Sequence, residues 1–281
     1  MTDFNRRAAL IAAMLTPIAA SACSRGQSQA SSGVDAPGEG PVVHDMSDMP
    51  ASWTQDNQIA MLCYPRMTIL DLIGPQYMFA SLMGATVHLV AKTRDPITSD
   101  TGVTIVPTAS FDEVPPDLAV LFAPGGTDGT LAAMRDDATR AFMADRGSRA
   151  TYVTSVCTGS LILGAAGLLR GYQATSHWAA RDALTEFGAT PVDARVVKDR
   201  NRITGAGVTA GLDFGLQMLA EMRDRTYAEG VQLMCEYDPH PPFNAGSMHT
   251  APLHVKAMIG SMVVQFPGQI RDVAREIAQP A

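Results

Sequence analysis

The sequence predicts an α/β protein: a doubly wound, mostly parallel sheet with helices on both faces, a flavodoxin-like sandwich with a nucleophile elbow at Cys157. Three observations point there. Runs of apolar, β-branched residues alternate with stretches of helical periodicity, the pattern of repeated βαβ units. Some runs, "DLAVLFAP" above all, are apolar at almost every position, as strands buried on both faces are. Finally, the strand-like "ATYVTSV" passes through Cys157 directly into the helix-like "GSLILGAAGLL", which places a thiol on a tight strand-to-helix turn.

Composition narrows the function. A chain of 281 residues with 46% hydrophobic and 17% charged residues can bury a sizeable core. The net charge of −7, the pI near 5.3 and the scatter of basic residues argue against a nucleic-acid partner, because phosphate binding needs a basic face. Cys23, Cys63, Cys157 and Cys235 form neither a CxxC pair nor a Cys/His cluster, so no metal is expected, and they are too few for a disulfide scaffold.

Taken in order, residues 1–23 ("MTDFNRRAALIAAMLTPIAASAC") read as an export signal: Arg6 and Arg7, a short apolar run, then small residues. The paired arginines resemble a twin-arginine signal, and "ASAC" a lipoprotein cleavage box in which Cys23 would carry the lipid. The implied location is the periplasm or a membrane surface reached only through that anchor. The alternative is a cytoplasmic protein with an N-terminal extension. Residues 24–50, rich in Ser, Gly, Pro and acids, read as a flexible tether. A catalytic domain is expected over 51–252 and a C-terminal helical extension over 253–281, with a break at Pro267.

Within the domain, "NQIAMLCY" is predicted as a buried strand and "GPQYMFASLM" as a helix with Pro75 in its first turn. "TVHLVAK" is a second strand, "GVTIVP" a short one near an edge, and "DLAVLFAP" a buried one ending in "GGT". After the Cys157 turn, "QATSHW" opens another strand–helix unit. "ARVVKD" and "RITGAG" pair as a hairpin, and helices follow at "VTAGLDFGLQMLAEM" and "YAEGVQLMCEY". Ligands of such sheets bind at the carboxyl ends of the strands, where "LDLIGP", "APGGT" and "SVCTGS" fall.

The chemistry gathers on that edge. In Ser155-Val156-Cys157-Thr158-Gly159 a nucleophile stands between small residues two positions away on either side. A helix N-terminus beside the thiol is expected to lower its pKa from ~8.5 towards ~5–7. The competing reading is a small core residue. Asp71 in "ILDLIGP" is a carboxylate in apolar company, suited to hold or pass a proton; a helix N-cap is the equal alternative. Gly125 and Gly126 can turn backbone N–H groups towards a developing anion. His177 reads first as a packed residue beside Trp178, and Cys63 and Cys235 read as core.

Together, "LDLIGPQ", "APGGT", "YVTSVCTGSLILGAAGLLRGYQATSHW" and "RITGAGVTAGLDFGLQM" resemble the PfpI-like superfamily, with the class I glutamine amidotransferase-like fold. "CEYDPHPPFNAGSMHTAP" is similar to the C-terminal signature of its isocyanide hydratase branch, and the resemblance runs from about Gln58 to Pro252. It implies that Cys157 is the nucleophile and that Asp71 replaces the superfamily's more usual Glu as general acid and base. It implies that Thr158 stands where proteolytic and amidotransferase members often carry His, that Val208 lines the site, and that Gly125 and Gly126 form an oxyanion-type backbone. The implied enzyme is a cysteine-dependent homodimer without cofactor or metal. It would add water to a small-molecule isocyanide through a Cys157 thioimidate, giving an N-substituted formamide. The alternatives are a non-catalytic ligand-sensing or redox-responsive domain, or another hydrolase or glyoxalase of the superfamily.

Overall fold

A computed structural model describes residues 49–278. The expected export signal with Cys23, and all but the last two residues of the expected tether, lie outside that range. A seven-stranded sheet forms the centre: β1 (Gln58–Leu62), β2 (Thr86–Ala91), β3 (Ala109–Ser110), β4 (Val120–Ala123), β5 (Tyr152–Val156), β6 (Val196–Asp199) and β7 (Arg202–Gly205). Their spatial order is β6-β7-β5-β4-β1-β2-β3, parallel throughout except for β6, which runs antiparallel to β7.

The central strands are buried because their sequences leave them no polar face. All four residues of β4 and the last four of both β1 and β5 are buried, so helices must cover both sides of the sheet. The helices are α1 (Ile69–Ala80), α2 (Asp128–Arg135), α3 (Asp137–Arg149), α4 (Gly159–Ala165), α5 (Ala210–Met222), α6 (Arg225–Met234), α7 (Leu253–Met262) and α8 (Phe266–Ala278). Packing joins α1 to α5 and α5 to α6, and separately joins α2 to α3, α4 and α8. Phe79 of α1, Phe122 of β4 and Phe214 of α5 meet with ring centroids 5.7–6.2 Å apart and tie α1 and α5 onto the sheet.

From β1 the chain adds β2 and β3 on one side; from β4 it adds β5 and the β6–β7 hairpin on the other. The reversal makes the gap between β1 and β4 the switch point, and ligands of such sheets bind at the carboxyl end of that gap. Tyr64 after β1 and Pro124 after β4 stand on either side of it.

Three elements differ from the sequence expectation. The first helix begins at Ile69, not Gly74, so Asp71 lies inside its first turn and Thr68 is the N-cap residue. The apolar run "ILDLI" packs as helix, and Pro75 costs only the bond that its missing N–H would have made to the Asp71 carbonyl. "GVTIVP" contributes Thr104–Ile105 to a two-residue antiparallel ladder with Ile97–Thr98, while β3 takes the sheet edge. "QATSHW" yields only Gln173–Ala174, paired with Thr190–Pro191, and a 3₁₀ helix at Arg181–Phe187 follows. The expected break near Pro267 is present as the turn at 263–265 between α7 and α8, and Pro267 stands in the first turn of α8, where no N–H is needed. Phe266, Ile270 and Val273 of α8 join the main core.

Candidate active site

Three strand ends meet at the switch point. Cys157 follows β5 with φ of 59°, the left-handed region that costs a non-glycine residue about 1–2 kcal/mol. Four hydrogen bonds hold it there. Its N–H donates to the carbonyls of Gly205 (3.1 Å) and Ala206 (2.7 Å), and its own carbonyl accepts from Ser160 Oγ (3.2 Å) and Ser176 Oγ (3.0 Å). The turn is tight enough that a Cβ on Gly159 would sit 2.1 Å from the Ala123 carbonyl oxygen. Glycine is required there by close approach.

The thiol is buried, 6% exposed, and the backbone N–H groups of Thr158 and Val208 are directed at its sulfur. Opposite stands Asp71, fully buried. Its Oδ2 accepts from the Gly125 N–H at 3.0 Å; Oδ1 has no N–H or O–H partner, and the carboxyl interacts with the Cys157 thiol. Burial pushes the Asp71 pKa up to about 7 against the restraining effect of the thiol and the Gly125 N–H, and the charge of Asp100 adds to the rise.

The thiol does not have the lowered pKa that a helix N-terminus led us to expect. Burial and then the charge of Asp71 push it well above its ordinary value, and the N–H groups of Thr158 and Val208 offset this only in part. The physical reason is that the sulfur is dry, its nearest charge is negative, and α4 runs for only seven residues. At neutral pH the thiol therefore keeps its proton while the Asp71 carboxyl is close to half-ionised. The resting pair is thus a thiol beside a carboxyl at its titration point, and the thiolate with a carboxylic acid forms when the thiol passes its proton to Asp71.

The glycine loop is built differently from the anion cradle that its sequence suggested. The Gly125 N–H is committed to Asp71, and the Gly126 N–H donates to Thr158 Oγ1 at 2.9 Å. Neither is free for an oxyanion, so the donors that face the reacting atoms are the N–H groups of Thr158 and Val208. The loop instead fixes Asp71. A Cβ on Gly125 would lie 2.7 Å from Asp71 Oδ2 and 2.6 Å from the Thr158 nitrogen, so a side chain there would push the carboxyl aside.

Thr158 links the elbow to this loop: its Oγ1 donates to the Gly126 carbonyl at 2.9 Å and meets Thr130 Oγ1 at 2.9 Å. Tyr64 completes the chain, donating to the Pro124 carbonyl at 2.8 Å and meeting Thr130 Oγ1 at 3.1 Å. Sequence reasoning missed Tyr64, Thr130, Ser160 and Ser176. The one available signal was position: Tyr64 closes the first buried run, at the edge that carries Asp71 and Cys157. His177 sits at the rim, its Cδ2 3.0 Å from where a Gly207 Cβ would be, and its ring packs near Trp178 with centroids 5.3 Å apart. Burial lowers its pKa, which keeps it neutral. Cys63 is buried with a pKa pushed up to about 12 by desolvation, an inert thiol. Cys235 is the C-cap residue of α6, half-buried and packed against the edge of the core.

Comparison with known proteins places this geometry. Residues 57–221 match the DJ-1/PfpI family. The chain is 49% identical over 195 residues to the isonitrile hydratase of Pseudomonas putida, a match covering 69% of this chain and 85% of the relative. It is 28% identical to the HTH-type transcriptional regulator GbdR of Pseudomonas aeruginosa over 64% of this chain and 50% of the regulator. It is 33% identical to the deglycase TK1284 of Thermococcus kodakarensis over 48% of this chain and 81% of that enzyme. Among solved structures, a THiJ/PfpI family protein from Pseudomonas syringae superposes with a TM-score of 0.80 at 65% identity, covering 82% of this chain and 98% of that one. With the parallel sheet, the left-handed elbow cysteine and the facing carboxyl all in place, the chain belongs to the DJ-1/PfpI family.

Proposed function

We propose that the protein hydrates isocyanides to N-substituted formamides. The buried Asp71–Cys157 pair, a carboxyl that titrates near neutrality facing a thiol that can pass it a proton, carries this reading, and the 49% identity to an isonitrile hydratase supports it. An isocyanide is neutral, linear and nucleophilic at carbon until that carbon is protonated, so it needs an acid and a soft nucleophile together. Asp71 gives its proton to the terminal carbon as the Cys157 thiolate forms the S–C bond, leaving a thioimidate and a carboxylate. The carboxylate takes a proton from water as the O–C bond forms, and that proton passes to nitrogen. The new hydroxyl then returns a proton to Asp71 as the C–S bond breaks, regenerating thiolate and carboxylic acid with one water consumed. The N–H groups of Thr158 and Val208, directed at the sulfur, stabilise the thiolate that starts and ends the cycle.

The purified protein, given cyclohexyl or aryl isocyanide, is expected to produce the matching formamide, followed by loss of the isocyanide stretch near neutral pH. Absence of turnover by the wild-type protein would overturn the hydratase reading.

We further propose a homodimer. Between Ala228 and Phe266 no residue is buried, although this stretch includes Leu233, Phe243, Leu253, Met262 and Val264, each more than two-thirds exposed. On α1, Leu70, Ile73 and Tyr77 form a second apolar stripe at i, i+3 and i+7, each 45% exposed. Large apolar side chains this exposed on two stretches suit a covering surface better than solvent. A second copy is the occupant that fits, and light scattering is expected to return twice the chain mass of 29.8 kDa. Leu253→Glu with Met262→Glu is expected to shift the mass to that of one chain; an unchanged mass would remove this surface from the interface.

A further inference from the structure

The three-residue loop Pro124–Gly126 leaves no main-chain polar group unused. The Pro124 carbonyl accepts from Tyr64 Oη, and the Gly125 carbonyl from the Thr68 N–H at 2.8 Å. The Gly125 N–H donates to Asp71, and both polar groups of Gly126 bond Thr158 Oγ1. The Gly125 N–H is the single N–H or O–H donor to the Asp71 carboxyl among the described residues. Its direction is set by how the rest of the loop is held.

We propose that Tyr64 and Thr130 are positioning residues for Asp71: the buried Tyr64–Thr130–Thr158 hydroxyl chain clamps the loop so that the Gly125 N–H stays aimed at the carboxyl. This rests on the reading of Asp71 and Cys157 as the working pair. The hydroxyls leave little freedom. Tyr64 spends its proton on the Pro124 carbonyl and Thr158 on the Gly126 carbonyl, so Thr130 donates to one neighbour and has no proton for the other. Tyr64 and Thr130 belong to different sides of the switch point, one after β1 and the other in α2, so the clamp spans the gap that the ligand enters. Neither touches the reacting atoms.

The consequence is electrostatic. A donor aimed at the carboxylate favours its charged form, so slackening the clamp lets the Asp71 pKa climb further. The other titratable groups acting on Asp71 are Cys157 across the site, Asp100 beyond the α1 N-terminus and Tyr64 itself, while Arg66 is turned outward to Asp128.

The test reads the pair without needing an isocyanide: the rate of alkylation of Cys157 by iodoacetamide, followed by mass spectrometry of the Cys157 peptide between pH 5 and 10. In the wild type the rate should rise through a limb near pH 7 that Asp71→Asn abolishes. Tyr64→Phe and Thr130→Val are expected to move that limb up by about half a pH unit or more, with alkylation slowed about threefold or more at pH 6, while Thr130→Ser restores the wild-type midpoint. An unmoved midpoint overturns the proposal. So does an equal effect of Tyr64→Phe in the Asp71→Asn background, which would show that the hydroxyl acts by packing alone. The Thr130→Val and Thr130→Ser pair decides the matter should Tyr64→Phe not fold. Loss of the hydratase reading would appear separately, as absent formamide with this profile intact.

Discussion

Cys157→Ala is expected to reduce formamide formation by at least ~10³-fold, to the background of the uncatalysed reaction. Alanine keeps the elbow, because every hydrogen bond that holds residue 157 comes from its main chain. What disappears is the group that forms the covalent bond, and neither other thiol among the described residues can replace it. Cys63 is buried and inert, and Cys235 lies at the end of α6. Gas chromatography of the formamide from matched wild-type and variant protein measures the loss, with circular dichroism confirming the fold. Turnover surviving in the variant would leave hydration standing and remove the thioimidate from it.

Asp71→Asn is expected to move activity and stability in opposite directions. Turnover should fall by ~10²–10⁴-fold, since the amide cannot deliver a proton to carbon or collect one from water. Stability should rise, and the pH range follows from the raised pKa. The carboxyl releases its proton near its ordinary value of 3.8 in the unfolded chain but only near 7 in the folded one. Below about pH 4 both states hold the proton and this carboxyl contributes no difference. Between about 4 and 7 the folded state binds more protons, so wild-type stability falls as pH rises, by up to about 4 kcal/mol at neutral pH and above. The variant escapes that loss. Thermal melts should show its advantage growing from pH 4 to pH 8, and a pH-independent difference between the two proteins would falsify the assignment of the raised pKa to Asp71.

Much of this was legible from residues alone, for identifiable reasons. The buried runs of β1, β4 and β5 announce themselves because a strand covered on both faces has no polar alternation to blur it. Cys157 stood out because small residues on both sides of a thiol serve a turn that few other structures need. What remained hidden was direction. The same Gly125–Gly126 pair that suggests an anion cradle can aim its N–H groups at a carboxylate or at a hydroxyl, and only the partners in space decide. The thiol pKa failed for a similar reason. Sequence gives the helix that follows Cys157 but not the acid facing it, and Asp71 is 86 positions away along the chain. Tyr64 and Thr130 escaped notice because their role belongs to a chain of hydroxyls that no spacing encodes.

The way the sulfur is anchored has a consequence for the family's history. Residue 157 is located by backbone carbonyls, two serine hydroxyls and a glycine that admits close contact, all acting on the main chain and not on the sulfur. The reactive atom therefore occupies one spot whatever stands around it. The acid across the gap and the neighbour at 158 can be exchanged one mutation at a time while the sulfur stays in register. Such a scaffold separates where a reaction happens from which reaction it is. That separation gives a physical reason why one chain can resemble relatives named as hydratase, deglycase and transcriptional regulator.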